Sequence, residues 1–259
     1  MVQEMTLQVY SLETDVTTIC QNSCAGCDHL IPLETKRWSM DLEDFRRDID
    51  NLKSVVHSQK YGILGGEPTL HPRLLDFIQI LKDARITDRV QLWTNGQTFD
   101  TLDESIIASV KEIVWGRYPG KVAESGKQRV KELCSRHGVT FSELDRSEFF
   151  KIPLYAQAAT PADTLQRFNT CGLKKCGCVV QSGYLYLCCV GPSIDKRLLK
   201  LPPGTDGVPL EGITEAKFIQ FVNSPEPLIA CSRCQAYHGR QFRWHEVKGA
   251  KAWLAESME

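Results

Sequence analysis

The sequence predicts an α/β protein whose larger part is a partial (β/α) barrel, followed by a smaller C-terminal domain. Over residues 1–160, short apolar and β-branched segments alternate with stretches of helical periodicity, an order that favours a parallel sheet. After about residue 160 the helical rhythm stops, the density of cysteine rises, and Pro and Gly cluster at 202–208. We therefore predict a barrel core at 1–160 and a small domain at 161–259 that contains a β-hairpin.

The first elements of the core follow from residue type and spacing. Residues 7–18 are rich in β-branched and apolar side chains and predict a first strand. A helix is predicted over about 42–57, with Asp41 as its N-cap and apolar side chains at helical spacing. The short apolar segment 61–64 predicts a buried strand, and a helix over 72–81 begins at a proline, which suits its first turn.

The rest of the core repeats the same strand–helix order. The expected elements are strand 89–93, helix 102–110, strand 113–116, helix 122–136, strand 138–142 and strand 154–156. Architectures of this kind place their chemistry at the carboxyl ends of the parallel strands. Residues that directly follow these strands are therefore the candidates for a functional site.

The C-terminal part predicts a hairpin and two helices. Residues 179–187 are apolar and aromatic on both sides of the Ser-Gly pair 182–183, where a tight hairpin turn needs a positive φ. Thr214 suits the N-cap of a helix over about 215–223. Another helix is predicted over 244–256.

Composition and charge limit the class of protein. With 259 residues, of which 42% are hydrophobic and 24% charged, the chain is typical of a globular protein with one domain and an appendage. A net charge of −1 gives no basic footprint for a nucleic-acid partner. No apolar run approaches the roughly 18–20 residues of a membrane span, and the first residues do not resemble a signal peptide. We expect a cytoplasmic protein without nucleic-acid or membrane partners.

Cysteine usage indicates metal binding. The chain has 11 cysteines, and the odd number, tight clusters and missing export signal favour metal ligation over a disulfide framework. Cys20, Cys24 and Cys27 form a CxxxCxxC loop, and three close thiolates suit zinc or an iron–sulfur cluster. No further cysteine close by completes a four-ligand set, although His29 is an alternative fourth ligand. The favoured interpretation is a [4Fe–4S] cluster with one open iron.

Three segments, in order along the chain, resemble motifs of the radical S-adenosylmethionine (SAM) superfamily: the CxxxCxxC loop, Gly65-Gly66-Glu67-Pro68 and Thr94-Asn95-Gly96. The resemblance implies that the open iron chelates the amino and carboxylate groups of SAM, which an electron then cleaves to a 5′-deoxyadenosyl radical. It implies that the backbone of the second segment and Glu67 hold the SAM amino group, and that Thr94 and Asn95 lie near the SAM ribose. The residue before the third cysteine is usually aromatic in this family, whereas here it is Gly26.

A second group of cysteines lies in the tail. The pattern C-x(11)-G-x(4)-C followed by C-x(2)-C resembles the Twitch module, a shortened SPASM domain that binds an auxiliary cluster in radical SAM enzymes. The resemblance implies an auxiliary [4Fe–4S] cluster with four ligands, which are Cys171, Cys188, Cys231 and Cys234. The same thiolates would suit a structural zinc ribbon. Alternative ligands nearby in the sequence are Cys176, Cys178 and Cys189.

The resemblance implies a radical SAM oxidoreductase that abstracts hydrogen from a small polar substrate of the sugar or aminocyclitol type. Its partners would be that substrate and an electron donor such as flavodoxin or ferredoxin. A ribosomally made peptide is the alternative substrate, although the enzymes that modify such peptides commonly carry a leader-binding domain, which the few residues before the first strand cannot form. The alternative from another class is an iron–sulfur or zinc protein without catalytic activity, which would bind metal and leave SAM uncleaved.

Overall fold

A computed structural model describes residues 6–153, 158–175 and 177–258 of the chain. The strands are β1 (Leu7–Asp15), β2 (Val56–Leu64), β3 (Val90–Thr94), β4 (Glu112–Arg117), β5 (Thr140–Asp145), β6 (Glu148–Phe150), β7 (Cys178–Gln181), β8 (Tyr184–Tyr186), β9 (Gly207–Pro209) and β10 (Gln241–Arg243). The helices are α1 (Leu42–Leu52), α2 (Leu74–Ala84), α3 (Glu104–Ser109), α4 (Glu124–His137), α5 (Pro161–Thr170), α6 (Gly191–Ser193), α7 (Glu215–Val222) and α8 (Gly249–Met258), and a π-helical turn, Ile194–Leu199, continues α6.

Eight of the strands form one mostly parallel sheet, in the order β5-β4-β3-β2-β1-β7-β8-β9. Strands β1 to β5 run parallel to their neighbours, β7 pairs in parallel with β1, and β8 and β9 add antiparallel strands at the edge. The remaining two strands, β6 and β10, form a separate antiparallel ribbon. This arrangement confirms the predicted α/β fold with a C-terminal hairpin, and it brings the carboxyl ends of β1 to β5 to one edge of the sheet.

The predicted helix over 42–57 is too long. It begins as expected, since the Asp41 carboxylate accepts a hydrogen bond of 2.8 Å from the N–H of Glu43. It ends at Leu52, however, and Val56 already pairs with Leu7 as the first residue of β2. The apolar periodicity continues through Val55 and Val56, but β-branched side chains favour a strand, and pairing with β1 decides the matter.

The C-terminal hairpin and the α7 cap are confirmed. Ser182 and Gly183 have φ angles of 51° and 84°, as a two-residue hairpin turn of this hand requires. The Thr214 hydroxyl accepts a hydrogen bond of 3.3 Å from the N–H of Lys217, in the first turn of α7.

Two other expectations for the second half are wrong. The helical rhythm does not stop at residue 160, because Thr160 caps α5 and Pro161 begins it. The last helix begins at Gly249 instead of 244, since residues 244–247 form backbone hydrogen bonds with the cysteine loop and with Ser147. The strand expected at 154–156 lies outside the described residues.

The buried apolar residues form two clusters. The larger lies between the parallel sheet and its helices, where the rings of Phe45 and Phe77 pack 4.9 Å apart. The smaller joins Leu30, after the cysteine loop, to Val190 and Trp253 in the C-terminal part. The sheet and the smaller cluster both include residues from either side of position 160, and the domain division stays a prediction. None of the helices in the described part of the chain is long and apolar enough to cross a membrane.

Candidate active site

A cavity of about 360 Å³ opens at the carboxyl ends of the parallel strands. The residues singled out from the sequence that line it are Cys20, Cys24, Cys27, Gly65, Gly66, Glu67, Thr94 and Asn95. Pro68 lies buried in the 3-10 turn that follows, Pro68–Leu70. The fold therefore brings the three separated segments to one place, and the three thiols of the cysteine loop are free.

The two glycines after β2 allow its backbone to run directly against the segment that leads to Cys20. Gly66 and Glu67 donate backbone hydrogen bonds of 2.7 Å to the carbonyls of Thr17 and Ile19. A Cβ on Gly66 would lie 2.4 Å from the Ile19 carbonyl oxygen, which no side chain tolerates. Gly65 has a φ of +140° and an equally close backbone neighbour. Glycine at both positions therefore fixes where the cysteine loop begins.

Glu67 is fully buried, and its carboxylate is engaged by the protein. One oxygen accepts hydrogen bonds from the hydroxyls of Thr69 at 2.6 Å and Thr94 at 2.7 Å. The other accepts a bond of 2.7 Å from the backbone N–H of Asn95. Burial raises the pKa of this carboxyl, and the hydrogen bonds oppose that rise. Glu67 thus ties the end of β2 to the end of β3, which makes it a positioning residue.

Side-chain amides face the cysteine loop. Asn95 Nδ2 lies 3.1 Å from Gln21 Oε1 and 3.8 Å from Cys20 Sγ. Gln97 Nε2 donates a bond of 2.8 Å to Asn22 Oδ1. The Nδ2 atom of Asn22 is buried without a hydrogen-bond partner among the described residues, and Asn22 lines the same cavity. Such a donor is costly to bury unless a bound group accepts from it.

The C-terminal segment closes over the cysteine loop. Ala25 donates a backbone hydrogen bond of 3.0 Å to the His245 carbonyl, and Val247 donates one of 2.9 Å to the Ser23 carbonyl. Cys24 forms an isolated antiparallel bridge with Glu246. The loop is therefore held on two sides, by the glycine segment after β2 and by the tail.

Two tryptophans of the tail contact Cys24 itself. Trp244 Nε1 donates to Cys24 Sγ at 3.2 Å, and Trp253 Nε1 donates to the Cys24 carbonyl at 3.0 Å. Neither contact could be predicted from the sequence, since the tail carries no pattern that relates it to the loop.

The ribbon of β6 and β10 explains why residue 26 is glycine. A Cβ on Gly26 would lie 2.6 Å from Phe149 Cβ and 2.8 Å from Phe242 Cζ. Phe149 also stacks with Tyr118, with ring centroids 6.2 Å apart and an angle of 24° between the planes. Aromatic rings from distant segments thus occupy the space beside the third cysteine, where the resemblance leads one to expect a ring from the loop.

Without a metal, the thiols of the loop are protonated and neutral. As soft donors they suit a soft metal ion or cluster. Burial raises the pKa of Cys20 to about 11, that of Cys24 to about 12 and that of Cys27 well above its usual value. A bound metal would deprotonate them. Within the described ranges no three His, Cys, Asp or Glu side chains are arranged to hold a single metal ion. The three thiols of the loop line one cavity, and N–H groups are directed at the sulfurs of Cys20 and Cys24, an arrangement that fits a polynuclear iron–sulfur cluster.

The cavity also contains acid–base groups, of which sequence reasoning missed Glu13 and Asp28 and named His29 only as an alternative metal ligand. Burial raises the pKa of Glu13, on β1, to about 7. His29 Nδ1 lies 2.8 Å from Asp15 Oδ2, and its other ring nitrogen lies 3.8 Å from Asp28 Oδ1. Burial opposes protonation of His29, but these carboxylates raise its pKa to about 9. The signal in the sequence was position, since Glu13 and Asp15 are the charged residues of β1 and both lie near its carboxyl end.

The four tail cysteines assigned by resemblance lie near one another. Burial raises the pKa of Cys188 well above its usual value, and Cys234, Cys231 and Cys171 raise it further by charge repulsion. Burial, with charge repulsion from Cys171, raises the pKa of Cys231 to about 11, and burial, with repulsion from Cys231 and Cys171, raises that of Cys234 to about 12. No three of these thiols, among the described residues, are arranged to hold a metal ion, and the second metal site stays a prediction.

The alternative cysteines have other surroundings. Burial raises the pKa of Cys178 to about 12, and the further cause is Glu13 instead of a thiol. Cys189 lines the same cavity as the cysteine loop, where its thiol hydrogen-bonds to Glu13. Cys176 lies outside the described residues. Cys134 is buried in the core on α4.

No protein-family model matches this chain, and no curated protein matches it. Solved structures do. BtrN in complex with AdoMet and 2-DOIA superposes with a TM-score of 0.54 at 15% identity, over 85% of this chain and 84% of that chain. Native anSMEcpe with bound AdoMet and the Cp18Cys peptide gives a TM-score of 0.52 at 17% identity, over 82% and 80% of the two chains. These neighbours are radical SAM enzymes, and the chain has their partial-barrel fold.

Proposed function

We propose that this chain is a radical SAM enzyme in which Cys20, Cys24 and Cys27 hold a [4Fe–4S] cluster with one open iron. The observation that carries the proposal is that these thiols, the glycine segment after β2 and Asn95 line a single cavity at the strand ends. When bound, the cluster supplies the electron that cleaves SAM to a 5′-deoxyadenosyl radical. The shared fold of neighbours whose structures contain AdoMet supports the assignment.

The residues after β2 and β3 would orient SAM. An ammonium group needs hydrogen-bond acceptors, and the Glu67 carboxylate already accepts from Thr69, Thr94 and Asn95. The backbone carbonyls of the 65–66 segment are therefore better suited to hold the SAM amino group than the Glu67 side chain. Thr94 would act through Glu67, to which its hydroxyl donates, and Asn95, which lines the cavity, would hold the ribose.

We propose a small polar substrate, of the sugar or aminocyclitol type. The cavity offers Glu13, Asp28, His29 and Arg146 to the hydroxyl and amino groups of such a molecule. Net oxidation of an alcohol removes a hydrogen atom from carbon, a proton from oxygen and one further electron. Glu13 is suited to accept the proton, because burial brings its pKa to about 7. The further electron would pass to an auxiliary cluster held by Cys171, Cys188, Cys231 and Cys234.

A peptide is the second candidate substrate, since one neighbour of the same fold has a peptide bound. Two tests on the purified protein distinguish the candidates. Consumption of aminocyclitols with formation of a ketone supports the first, and modification of a short peptide supports the second. In either case an electron donor such as flavodoxin or ferredoxin would reduce the enzyme in a reducing cytoplasm.

The experiment that tests the proposal measures 5′-deoxyadenosine formed from SAM by the anaerobically reduced protein. The wild-type protein and the Cys134→Ala variant should form it, because Cys134 lies on α4, away from the cavity. Cys24→Ala should form none. Undiminished cleavage by Cys24→Ala would remove the site assignment. Binding of metal without any cleavage by the wild-type protein would favour an iron–sulfur or zinc protein that is not a catalyst.

A further inference from the structure

The indole of Trp244 donates its N–H to the sulfur of Cys24, although 220 residues separate them. The distance from Nε1 to Sγ is 3.2 Å, and Cys24 is only 7% exposed. An N–H directed at a neutral thiol contributes little, but one directed at a buried thiolate is a charge-assisted hydrogen bond. The contact therefore matters most when Cys24 is a metal ligand.

Contacts on several sides hold the indole in this place. The Trp244 backbone N–H donates to the Ser147 carbonyl at 2.8 Å, which anchors the residue at the end of the β6–β10 ribbon. Two positions later, Glu246 forms an ion pair with Lys121 and accepts a hydrogen bond of 3.1 Å from the Ser23 N–H. The Lys121 ammonium also lies 5.5 Å from the Trp244 ring centre. The backbone that carries the indole is therefore held beside the cysteine loop, and the Lys121 ammonium packs near the ring.

A hydrogen bond to a ligand sulfur changes the ease with which an iron–sulfur cluster accepts an electron. Reduction adds one electron, and hence one negative charge, to the cluster and its thiolates. A donor N–H stabilises the more negative reduced form, so the reduction potential rises. Among the described side chains, the other donor near these sulfurs is the Asn95 amide, whose Nδ2 is 3.8 Å from Cys20 Sγ and closer to Gln21. Trp244 therefore makes the shorter of these two side-chain contacts.

We infer that Trp244 is a positioning residue that raises the reduction potential of the cluster held by Cys20, Cys24 and Cys27. The inference rests on the proposed function, because it requires that cluster. It gives the C-terminal segment a role in electron uptake: when the tail is paired with the loop, an external donor reduces the cluster more readily.

The test is a redox titration of the reconstituted protein, followed by electron paramagnetic resonance at the signal that SAM perturbs. Trp244→Phe keeps an aromatic ring and loses the N–H, and its potential should fall. A tenfold smaller equilibrium constant for reduction corresponds to about 59 mV for one electron. Trp253→Phe is the matched control, since it removes an indole N–H that donates to the Cys24 carbonyl instead of the sulfur. An unchanged potential in Trp244→Phe, or an equal fall in both variants, would overturn the inference.

A second measurement covers the case in which Trp244→Phe fails to take up the cluster. Trp253→Phe protein labelled with ¹⁵N in its remaining indoles should show a nitrogen coupling to the reduced cluster, since the other indole donor to Cys24 is gone, and the absence of any such coupling would overturn the inference. Failure of the proposed function gives a different result. In that case the wild-type protein itself shows no cluster signal that responds to SAM, and the inference falls with it.

Discussion

The Glu67 carboxylate accepts a hydrogen bond of 2.7 Å from the backbone N–H of Asn95, which joins the end of β2 to the end of β3. The residue before Glu67 is tied in turn to the segment before Cys20, since Gly66 donates to the Thr17 carbonyl at 2.7 Å. The three segments that resemble superfamily motifs are thus one hydrogen-bonded unit. A change in one of them should therefore be detected in the others.

The first prediction concerns Gly66→Ala. The new Cβ would lie 2.4 Å from the Ile19 carbonyl, so the backbone of the cysteine loop must move. We expect a loss of about 1–3 kcal/mol in the free energy of unfolding, the usual cost of overpacking, and a loss of bound iron. Iron content and chemical denaturation measure the two effects.

Gly212→Ala is the control for that experiment. Gly212 has a φ of +65° but nothing within 4 Å of an added Cβ. The variant should lose about 1 kcal/mol of stability through backbone strain alone and keep its iron. Normal iron content in Gly66→Ala would show that the glycine segment does not fix the loop.

The second prediction is that the chain holds two clusters, which means about eight irons if both are [4Fe–4S]. A variant without Cys20, Cys24 and Cys27 should keep about half of the iron, because the tail cysteines form a separate group. Metal analysis after anaerobic reconstitution measures this. Zinc in place of iron in that variant would identify the tail site as a zinc ribbon.

The third prediction separates an electron-accepting role of the tail site from a structural one. Cys231→Ala should remove the second cluster while cleavage of SAM continues, because the first cavity keeps its three thiols. If the auxiliary cluster accepts an electron from the substrate, oxidised product should fall by tenfold or more with an aminocyclitol as substrate. Circular dichroism establishes that the variant is folded. Full product formation by a folded variant without the second cluster contradicts the electron-accepting role.

The fourth prediction concerns the pH dependence of stability. Its subject is Glu112, which begins β4 at the end of the barrel opposite the cavity. Burial alone would raise the pKa of Glu112, but hydrogen bonds from Ser142 and Gln91 hold it below its ordinary 4.5. A lowered pKa means that the ionised carboxylate stabilises the fold above about pH 4.5, and that this contribution is lost as the pH falls through the folded-state pKa. Glu112→Gln should therefore lose about 1.5 kcal/mol at pH 7, the scale of hydrogen bonds to a charged group.

Urea unfolding at pH 7 and at pH 3.5 tests this prediction. The difference between wild type and Glu112→Gln should shrink at the lower pH. Exposed Glu211 provides the control, and Glu211→Gln should change stability by less than about 0.5 kcal/mol. A difference for Glu112→Gln that grows at acid pH would show that folding raises the pKa of this carboxyl instead of lowering it.

Local features of the fold could be predicted because they depend on neighbouring residues. Asp41 and Thr214 cap their helices, and the Ser-Gly pair 182–183 forms its turn, through contacts within a few residues. The predicted end of α1 was wrong because it depends on a residue far away in the sequence. The apolar spacing at Val55 and Val56 suits a helix, and only the pairing of Val56 with Leu7 shows that it belongs to β2.

The sequence by itself determined the candidate donor set, since thiol spacing, paired glycines and a turn after a strand are local patterns. Only the tertiary structure decided what surrounds that set. Phe149 and Phe242 fill the space beside Gly26, Glu13 lines the cavity, and Trp244 reaches Cys24. These contacts join residues up to 220 positions apart, and they arise from strand order and pairing across the whole sheet, which no local pattern encodes.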